Sequence, residues 1–234
     1  VSIAGVACVA TVVGAPAALG CVEVGVYRDA PSSLRVLDRQ VGPGTTVIST
    51  YVTINRAVDP AVIALAKQRR AKLMVTVMFD AGRDGPAQPL YSTARIAAGR
   101  YDKGVKSIAR QLKASGLNVI LRPLPEPNAD WWPWSGTRNG NTPASYIAAW
   151  KRVRKVAKAN GGKRMKLLWA PYARSVPETD DNAIDRYFPG NNFVDLVGVS
   201  GYNFGTVGEL EWLTPLEIFQ DPYVEIRALS TKPF

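Results

Sequence analysis

The chain alternates short apolar runs with longer amphipathic segments. Six apolar runs, rich in β-branched residues, span residues 22–27, 46–52, 72–79, 118–124, 165–170 and 193–200. Each run is apolar along its length rather than at every second position, which is typical of parallel strands covered on both faces. We therefore predict six buried parallel strands.

Helical segments lie between these strands and carry recognisable ends. Asp59 followed by Pro60 predicts a helix start, because aspartate caps the first free N–H groups and proline fits the first turn. An apolar stripe over residues 101–112 predicts a second helix that ends at Gly116. Thr142 begins a third helix in the same way. Strand and helix alternate, which indicates parallel βαβ units.

This alternation predicts an α/β fold, a (β/α)8 TIM barrel that is incomplete, with about six strands present and the seventh and eighth missing. Residues 231–234 resemble a segment that leads into a seventh strand. An open Rossmann-type sheet is the competing architecture, but residues 27–31 after the first strand hold no glycine-rich phosphate turn. The barrel predicts functional groups at the carboxyl ends of its strands.

The first residues differ in composition from the rest. Residues 1–17 are small and apolar, and Ala15-Pro16-Ala17 has the small-x-small form of a signal-peptidase site. We predict a signal peptide at 1–17, an extracellular protein and one partial catalytic domain at 18–234. The alternative is a buried first strand or helix. Cys21 follows an imperfect lipoprotein box, so lipid attachment at Cys21 is a less favoured alternative. No segment is long enough to predict a membrane span.

The composition excludes several chemistries. The chain has no histidine, which removes Ser-His-Asp and Cys-His nucleophiles and the HExxH zinc proteases. If the chain is an enzyme, proton transfer falls to carboxylates or to a metal held by oxygen ligands. A mature chain that keeps Cys21 alone cannot form a disulfide framework or a cysteine zinc site. We predict no cofactor and no metal.

The formal net charge of +10 suggests a polyanion as a partner. However, the basic residues at 151, 154, 155 and 158 form one face of the third helix, and the apolar residues at 146, 150, 153 and 157 form another. This is the pattern of a solvated face opposite a core stripe. We therefore predict no nucleic-acid partner. A polyanion-binding protein remains an alternative that requires strongly salt-dependent binding, and the oligomeric state is undetermined.

The strongest chemical signal follows the fourth strand, in the run RPLPEPNADWWPW at residues 122–134. A carboxyl group among apolar side chains keeps its proton readily, because desolvation disfavours the ionised form, and a general acid needs that proton. Neighbouring aromatic rings can stack on sugar rings. The alternative is a proline-rich loop whose tryptophans pack the top of the barrel.

This run resembles the acid/base segment of glycoside hydrolase family 26, the β-mannanase type, in which a strand ends in Arg-x-x-His-Glu-Met-Asn-Gly-x-Trp-x-x-Trp. Further blocks agree in order: IAAGRYD at 96–102, LWAP at 168–171, YFPG at 187–190 and VDLVGVSGYN at 194–203. The resemblance covers residues 25–234. It implies a (β/α)8 barrel and a retaining endo-acting hydrolase of a β-linked polysaccharide such as β-1,4-mannan.

The resemblance also implies roles for single residues. Glu126 would be the general acid/base, and Tyr202 would orient the nucleophile, with a core tyrosine as its alternative. Arg122 is more simply a buried charge partner. The candidate substrate-binding residues are Asn128, Trp131, Trp134, Trp169, Tyr27 and Asp80. For Asn128, pinning of the loop is an equal alternative, and Trp169 is the one most easily explained as a core residue.

One departure from the family pattern concerns the substrate. Pro125 stands where the family has histidine, which leaves β-1,3-xylan, mixed-linkage β-glucan and bacterial cell-wall glycan open beside mannan.

The other departure concerns the nucleophile. In the family, the nucleophilic glutamate lies on the strand that follows a Lys-Pro dipeptide, here Lys232-Pro233. We expect the nucleophile to belong beyond Phe234, so that these 234 residues lack it and are inactive on their own. We do not promote Glu209, Glu211, Glu217 or Glu225 to that role. The alternative function is a non-catalytic glycan-binding protein on a decayed barrel.

Overall fold

The computed structural model describes residues 23–27, 45–82, 85–206 and 211–234. These residues form a six-stranded sheet in which the strands follow one another in chain order and every pair is parallel. The strands are β1 (Val24–Tyr27), β2 (Thr45–Thr53), β3 (Lys72–Met78), β4 (Val119–Pro123), β5 (Met165–Trp169) and β6 (Leu196–Val197).

Among the described residues, helices connect β2 to β3, β3 to β4 and β4 to β5, and a further helix follows β6. They are α1 (Pro60–Gln68), α2 (Thr93–Ala97), α3 (Asp102–Ser115), α4 (Pro143–Gly161) and α5 (Pro215–Leu229). Short 3-10 turns lie at Pro89–Tyr91, Asp180–Asn182, Ile184–Tyr187 and Asn191–Phe193. Consecutive parallel neighbours joined by helices are the build of a barrel wall, and the architecture is an incomplete (β/α)8 barrel.

The predicted helix ends are confirmed. The Asp59 carboxylate accepts a hydrogen bond from the Ala61 N–H at 2.8 Å at the start of α1. Gly116 ends α3 with a φ of 74°, in the left-handed region that glycine adopts without steric cost. Thr142 and Ser145 form a reciprocal capping box at the start of α4.

Helix α4 confirms its predicted core stripe and refines its basic face. Tyr146, Trp150, Val153 and Ala157 are buried. The cations opposite them are not simply solvated, because two basic side chains lie over the ring of Phe193 and a third pairs with an aspartate on the segment before β6. These contacts give three of the four basic residues structural partners.

The last strand is shorter than predicted and spans Leu196–Val197, although the N–H groups of Asp195 and Gly198 still donate to β5 carbonyls. The Leu167 N–H of β5 donates to the Asp195 carboxylate at 2.7 Å rather than to a backbone carbonyl. On the other edge of β6, the Val197 N–H donates to the Pro233 carbonyl at 3.0 Å. The segment that contains Pro233 therefore lies beside β6, in the place of the next barrel strand.

The core lies between the sheet and the helices that cover it. Its largest fully buried side chains are Trp134, Trp150, Trp169, Tyr146, Tyr187 and Phe79. Among the described residues, no helix combines the length and the apolar character that crossing a bilayer requires. The predicted signal peptide at 1–17, Cys21 and the turn after Tyr27 lie outside the described residues.

Candidate active site

The loop after β4 has an unusual backbone. Leu124 and Glu126 adopt positive φ angles of 48° and 56°, which residues other than glycine rarely do. Each precedes a proline, which ordinarily directs the residue before it to extended backbone, so the prolines do not account for the positive φ angles. Such strain persists only where the surroundings hold the backbone firmly, and it is common at functional sites.

Hydrogen bonds to β5, to α4 and to Trp134 hold this loop. The Glu126 N–H donates to the Ala170 carbonyl at the end of β5 at 2.9 Å. The Tyr146 hydroxyl of α4 donates to the Leu124 carbonyl at 2.9 Å, and the Trp134 indole N–H donates to the Pro125 carbonyl at 2.7 Å. The loop is thereby fixed to β5 and α4, and it carries Glu126 at the carboxyl end of β4.

The Glu126 side chain is buried and receives three N–H groups. Its Oε2 atom accepts from the indole N–H groups of Trp131 and Trp132, each at 3.0 Å. Its Oε1 atom lies 3.3 Å from the Arg122 guanidinium. The predicted surroundings of this carboxyl group therefore need correction, because the neighbouring tryptophans present polar indole edges to it as well as apolar rings.

The prediction that Arg122 is a buried charge partner is confirmed. Its side chain is 9% exposed, and it donates both to Glu126 and to the Ser200 hydroxyl beyond β6. An ion pair with both members buried has little water to screen it. Arg122 thereby joins the end of β4 to the end of β6 beneath the carboxylate.

The four predicted or neighbouring tryptophans separate into two groups. Trp131 and Trp132 are half-buried and line an open groove. Trp134 and Trp169 are fully buried, so neither offers a face on which a sugar ring could stack. The prediction of Trp134 and Trp169 as sugar platforms is wrong for that reason: Trp134 holds the loop through Pro125, and Trp169 packs against Phe188.

Asn128 and Asp80 are also corrected. Asn128 is fully buried; its amide N–H group donates to the Tyr172 carbonyl at 2.9 Å, and its amide oxygen accepts from the Tyr172 N–H at 2.8 Å. The alternative of loop pinning therefore holds in place of sugar binding. Asp80 is buried, and its carboxylate accepts from the Gly82 N–H at 2.8 Å. It stabilises its own turn and does not line the groove.

Tyr202 lies near Glu126 at the rim of the groove. Its ring stacks on Tyr172 with centroids 6.3 Å apart, and Tyr172 in turn meets Trp131 edge-on at 4.9 Å. Burial raises the pKa of Tyr202 to about 12, and the charge of the neighbouring Glu126 contributes in the same direction. Its phenol is therefore a hydrogen-bond donor throughout the neutral range. Tyr27 is half-exposed at the end of β1 and packs edge-on against Tyr51 at 5.1 Å.

The groove has a volume of about 1190 Å³, and its floor carries Glu126. Glu217, Asp221 and Glu225 of α5 also line the groove, and they follow one another at intervals of four residues, about one helical turn. Glu217 is occupied as a helix cap, because its carboxylate accepts from the Thr214 N–H and hydroxyl, which lowers its pKa. Glu209 lies outside the described residues. No cluster of three acidic, cysteine or histidine residues suited to a metal ion occurs in the described part of the chain.

Phe234, beyond which we expect the nucleophile, packs on α5 and does not line the groove. Its ring is half-exposed and meets the ring of Tyr223 with centroids 5.0 Å apart. The Arg227 guanidinium lies 5.3 Å from the centroid of the same ring. Phe234 therefore has a packing role and takes no part in the site itself. The position of the nucleophile after Phe234 stays a prediction, because no described residue tests it.

The protein is a parallel α/β barrel with a buried, hydrogen-bonded carboxylate and partly exposed indoles at the carboxyl ends of its strands. It therefore belongs to the class of barrel proteins that carry their active sites at those ends. Comparison with known proteins makes this assignment specific. The family model of glycosyl hydrolase family 26 matches residues 94–220. The chain belongs to this family.

Curated relatives agree with the family. The chain is 30% identical over 144 residues to endoglucanase H of Acetivibrio thermocellus, a match that covers 60% of this chain and 16% of the relative. It is 32% identical over 98 residues to mannan endo-1,4-beta-mannosidase A and B of Caldalkalibacillus mannanilyticus, covering 40% of this chain and 18% of the relative. The matches thus span less than a fifth of either relative.

Solved structures share the fold. The beta-mannanase from a symbiotic protist of the termite Reticulitermes speratus, solved with a gluco-manno-oligosaccharide, superimposes with a TM-score of 0.61 at 12% identity. The alignment covers 88% of this chain and 69% of that one. At this identity the similarity establishes the barrel fold alone.

Sequence reasoning missed one member of the site. The sequence assigns no role to Trp132, because the family run marks Trp131 and Trp134 and leaves the positions between them open. Its indole N–H nevertheless contacts the Glu126 carboxylate at the same distance as that of Trp131. Two adjacent tryptophans beside a catalytic candidate were the available signal, but adjacency does not reveal the direction of an N–H group.

Proposed function

We propose that the protein is an endo-acting glycoside hydrolase that cleaves a β-linked polysaccharide of the β-1,4-mannan type with retention of configuration. The observation that carries the proposal is the buried Glu126 carboxylate in the floor of an open groove at the strand ends. Membership of glycosyl hydrolase family 26 and similarity to mannan endo-1,4-beta-mannosidases support the same substrate class.

Glu126 acts in this proposal as the general acid and then the general base. A retaining glycosidase needs one carboxyl group to protonate the leaving oxygen and a second, about 5–5.5 Å away, to attack the anomeric carbon. Glu126 gives its proton to the glycosidic oxygen as the bond breaks. It later takes a proton from the water that releases the sugar.

The second carboxylate is assigned to none of the described residues. In this proposal it belongs to the barrel strand that follows β6, beyond Phe234, and Pro233 already lies beside β6. Tyr202, which remains protonated because of its raised pKa, would donate a hydrogen bond that orients the nucleophile. Trp131 and Tyr27, both at least partly exposed, are the proposed sugar contacts.

We also propose that the protein is secreted, on the basis of the composition of residues 1–17. Sequencing the amino terminus of the mature protein tests this directly. A new terminus at residue 18 is expected, and a mature chain that keeps residues 1–17 would contradict it.

The direct test of catalysis is Glu126→Gln in the whole protein. General acid/base groups contribute about 10²–10⁴-fold to rate, so turnover of β-mannan should fall by that factor. Glu23→Gln is the matched control, because Glu23 is exposed and lies at the amino end of β1, away from the groove. Unchanged turnover in Glu126→Gln would overturn the proposal. Binding of glycan by both variants without hydrolysis by the wild type would favour the non-catalytic alternative.

A further inference from the structure

The two oxygens of Glu126 have unequal surroundings. An ionised carboxylate offers about two lone-pair directions on each oxygen. At Oε2 both are taken, because two indole N–H groups converge there at 3.0 Å each. At Oε1 the contact is the longer 3.3 Å approach of the Arg122 guanidinium. A proton that adds to this carboxyl group therefore goes to Oε1, since indole N–H groups cannot accept it.

The two indoles are held in different ways. The Trp132 ring stacks on Trp134 with centroids 5.2 Å apart and planes within 8°. Trp134 is fully buried and fixed to the Pro125 carbonyl, and the backbone N–H of Trp132 donates to the Ser135 hydroxyl at 3.1 Å. The Trp131 ring instead lies against Tyr172 in the groove wall. Of the two donors, Trp132 is the one anchored through the core.

We propose that Trp132 is a positioning residue that fixes Oε2 of Glu126 and thereby confines the transferable proton to Oε1. This inference rests on the proposed glycosidase function. In the first step, the electron pair of the breaking C–O bond goes to the glycosidic oxygen, which takes the Oε1 proton while the second carboxylate bonds the anomeric carbon. In the second step, Oε1 takes a proton from water as the water oxygen displaces that carboxylate. The proton count at Glu126 is restored.

Trp132→Phe removes the N–H group and keeps an aromatic ring against Trp134. A hydrogen bond to a charged group corresponds to about a 10- to 100-fold effect, so kcat/KM on β-mannan should fall within that range. A β-mannoside with a dinitrophenyl leaving group needs little acid assistance, so its glycosylation rate should fall much less.

Trp212→Phe is the matched control. Trp212 is 72% exposed and is not among the groove-lining residues, so the same substitution there should leave both rates unchanged. A Trp132→Phe enzyme that loses activity equally on both substrates would overturn the positioning role and leave a packing role.

A second measurement does not depend on the folding of Trp132→Phe or on activity. In protein labelled with ¹⁵N at tryptophan, Glu126→Gln should shift the indole N–H resonances of Trp131 and Trp132. The resonance of Trp134, which is bonded to the Pro125 carbonyl, should move far less. An unmoved Trp132 resonance would contradict the inference. Failure of the wild type to hydrolyse any β-glycan, with the Trp132 shift present, would instead sink the proposed function alone.

Discussion

The ion pair between Arg122 and Glu126 allows the sharpest stability prediction. Their side chains are 9% and 5% exposed, and the guanidinium nitrogen lies 3.3 Å from Oε1. At that separation and an effective dielectric of about 20, the attraction is about 5 kcal/mol. Arg122→Met leaves the carboxylate buried with two neutral donors, and removal of one partner from a buried pair costs about 3–5 kcal/mol. That is a large share of the roughly 5–15 kcal/mol that stabilises a folded domain.

The measurement is urea unfolding of the whole protein, followed by tryptophan fluorescence. A loss of this size lowers the unfolding midpoint by about 1–2 M urea. Arg138→Met is the matched control, because Arg138 pairs with Asp130 in the same loop but is 44% exposed. Exposed pairs contribute about 0–1 kcal/mol, so this variant should unfold close to the wild type.

The cause of the loss is tested in a Glu126→Gln background. There the buried negative charge is gone, so Arg122→Met should cost less by at least about 2 kcal/mol. An equal cost in both backgrounds, or a loss no greater than that of Arg138→Met, would refute the ion-pair reasoning.

Two further predictions concern the packing and the tyrosines. A Cβ added at Gly136 would lie 2.0 Å from the buried Tyr187 hydroxyl, so Gly136→Ala should lower the free energy of unfolding in urea by about 1–3 kcal/mol. A Cβ at Gly198 would lie 3.3 Å from a flexible leucine side chain, so Gly198→Ala should lower it less. The opposite order would contradict the packing explanation. The pKa of Tyr202 and that of Tyr187 are each raised to about 12 by burial. A raised pKa favours the neutral phenol in the folded state, so this stabilisation is complete below pH 10 and is lost as the pH rises through about 12. An absorbance titration at 295 nm should lose a step near pH 12 in Tyr202→Phe, and loss of a step near pH 10 instead would contradict the assignment.

The fold could be predicted from local signals in the sequence. Continuous apolar runs marked the strands, and the caps at Asp59, Gly116 and Thr142 marked helix ends, because each depends on a few neighbouring residues. The bounds of β6 were not predictable in this way. The Asp195 carboxylate beside it accepts from the Leu167 N–H of β5, a contact between residues 28 positions apart that local sequence does not reveal.

The residues of the site also divide into those that local sequence predicts and those that depend on distant contacts. Glu126 and Arg122 were identified because the run around them resembles a family motif in register. The burial of Trp134 and the direction of the Trp132 indole depend on how the loop with positive φ angles at Leu124 and Glu126 turns over the core. Trp169 is buried at the end of β5 by packing against Phe188, a distant residue in the sequence. Residue types and spacing do not encode that orientation, so exposed sugar platforms could not be separated from buried supports.

The central claim, that Glu126 is the acid/base of a retaining glycosidase, is tested most directly by chemical rescue of Glu126→Ala in the whole protein. With a dinitrophenyl β-mannoside, the first step needs little acid, but the second lacks its base, so the covalent intermediate should accumulate. Azide, a nucleophile that needs no base, should restore turnover and give a β-mannosyl azide. Absence of rescue, or an α-mannosyl azide, would contradict the account.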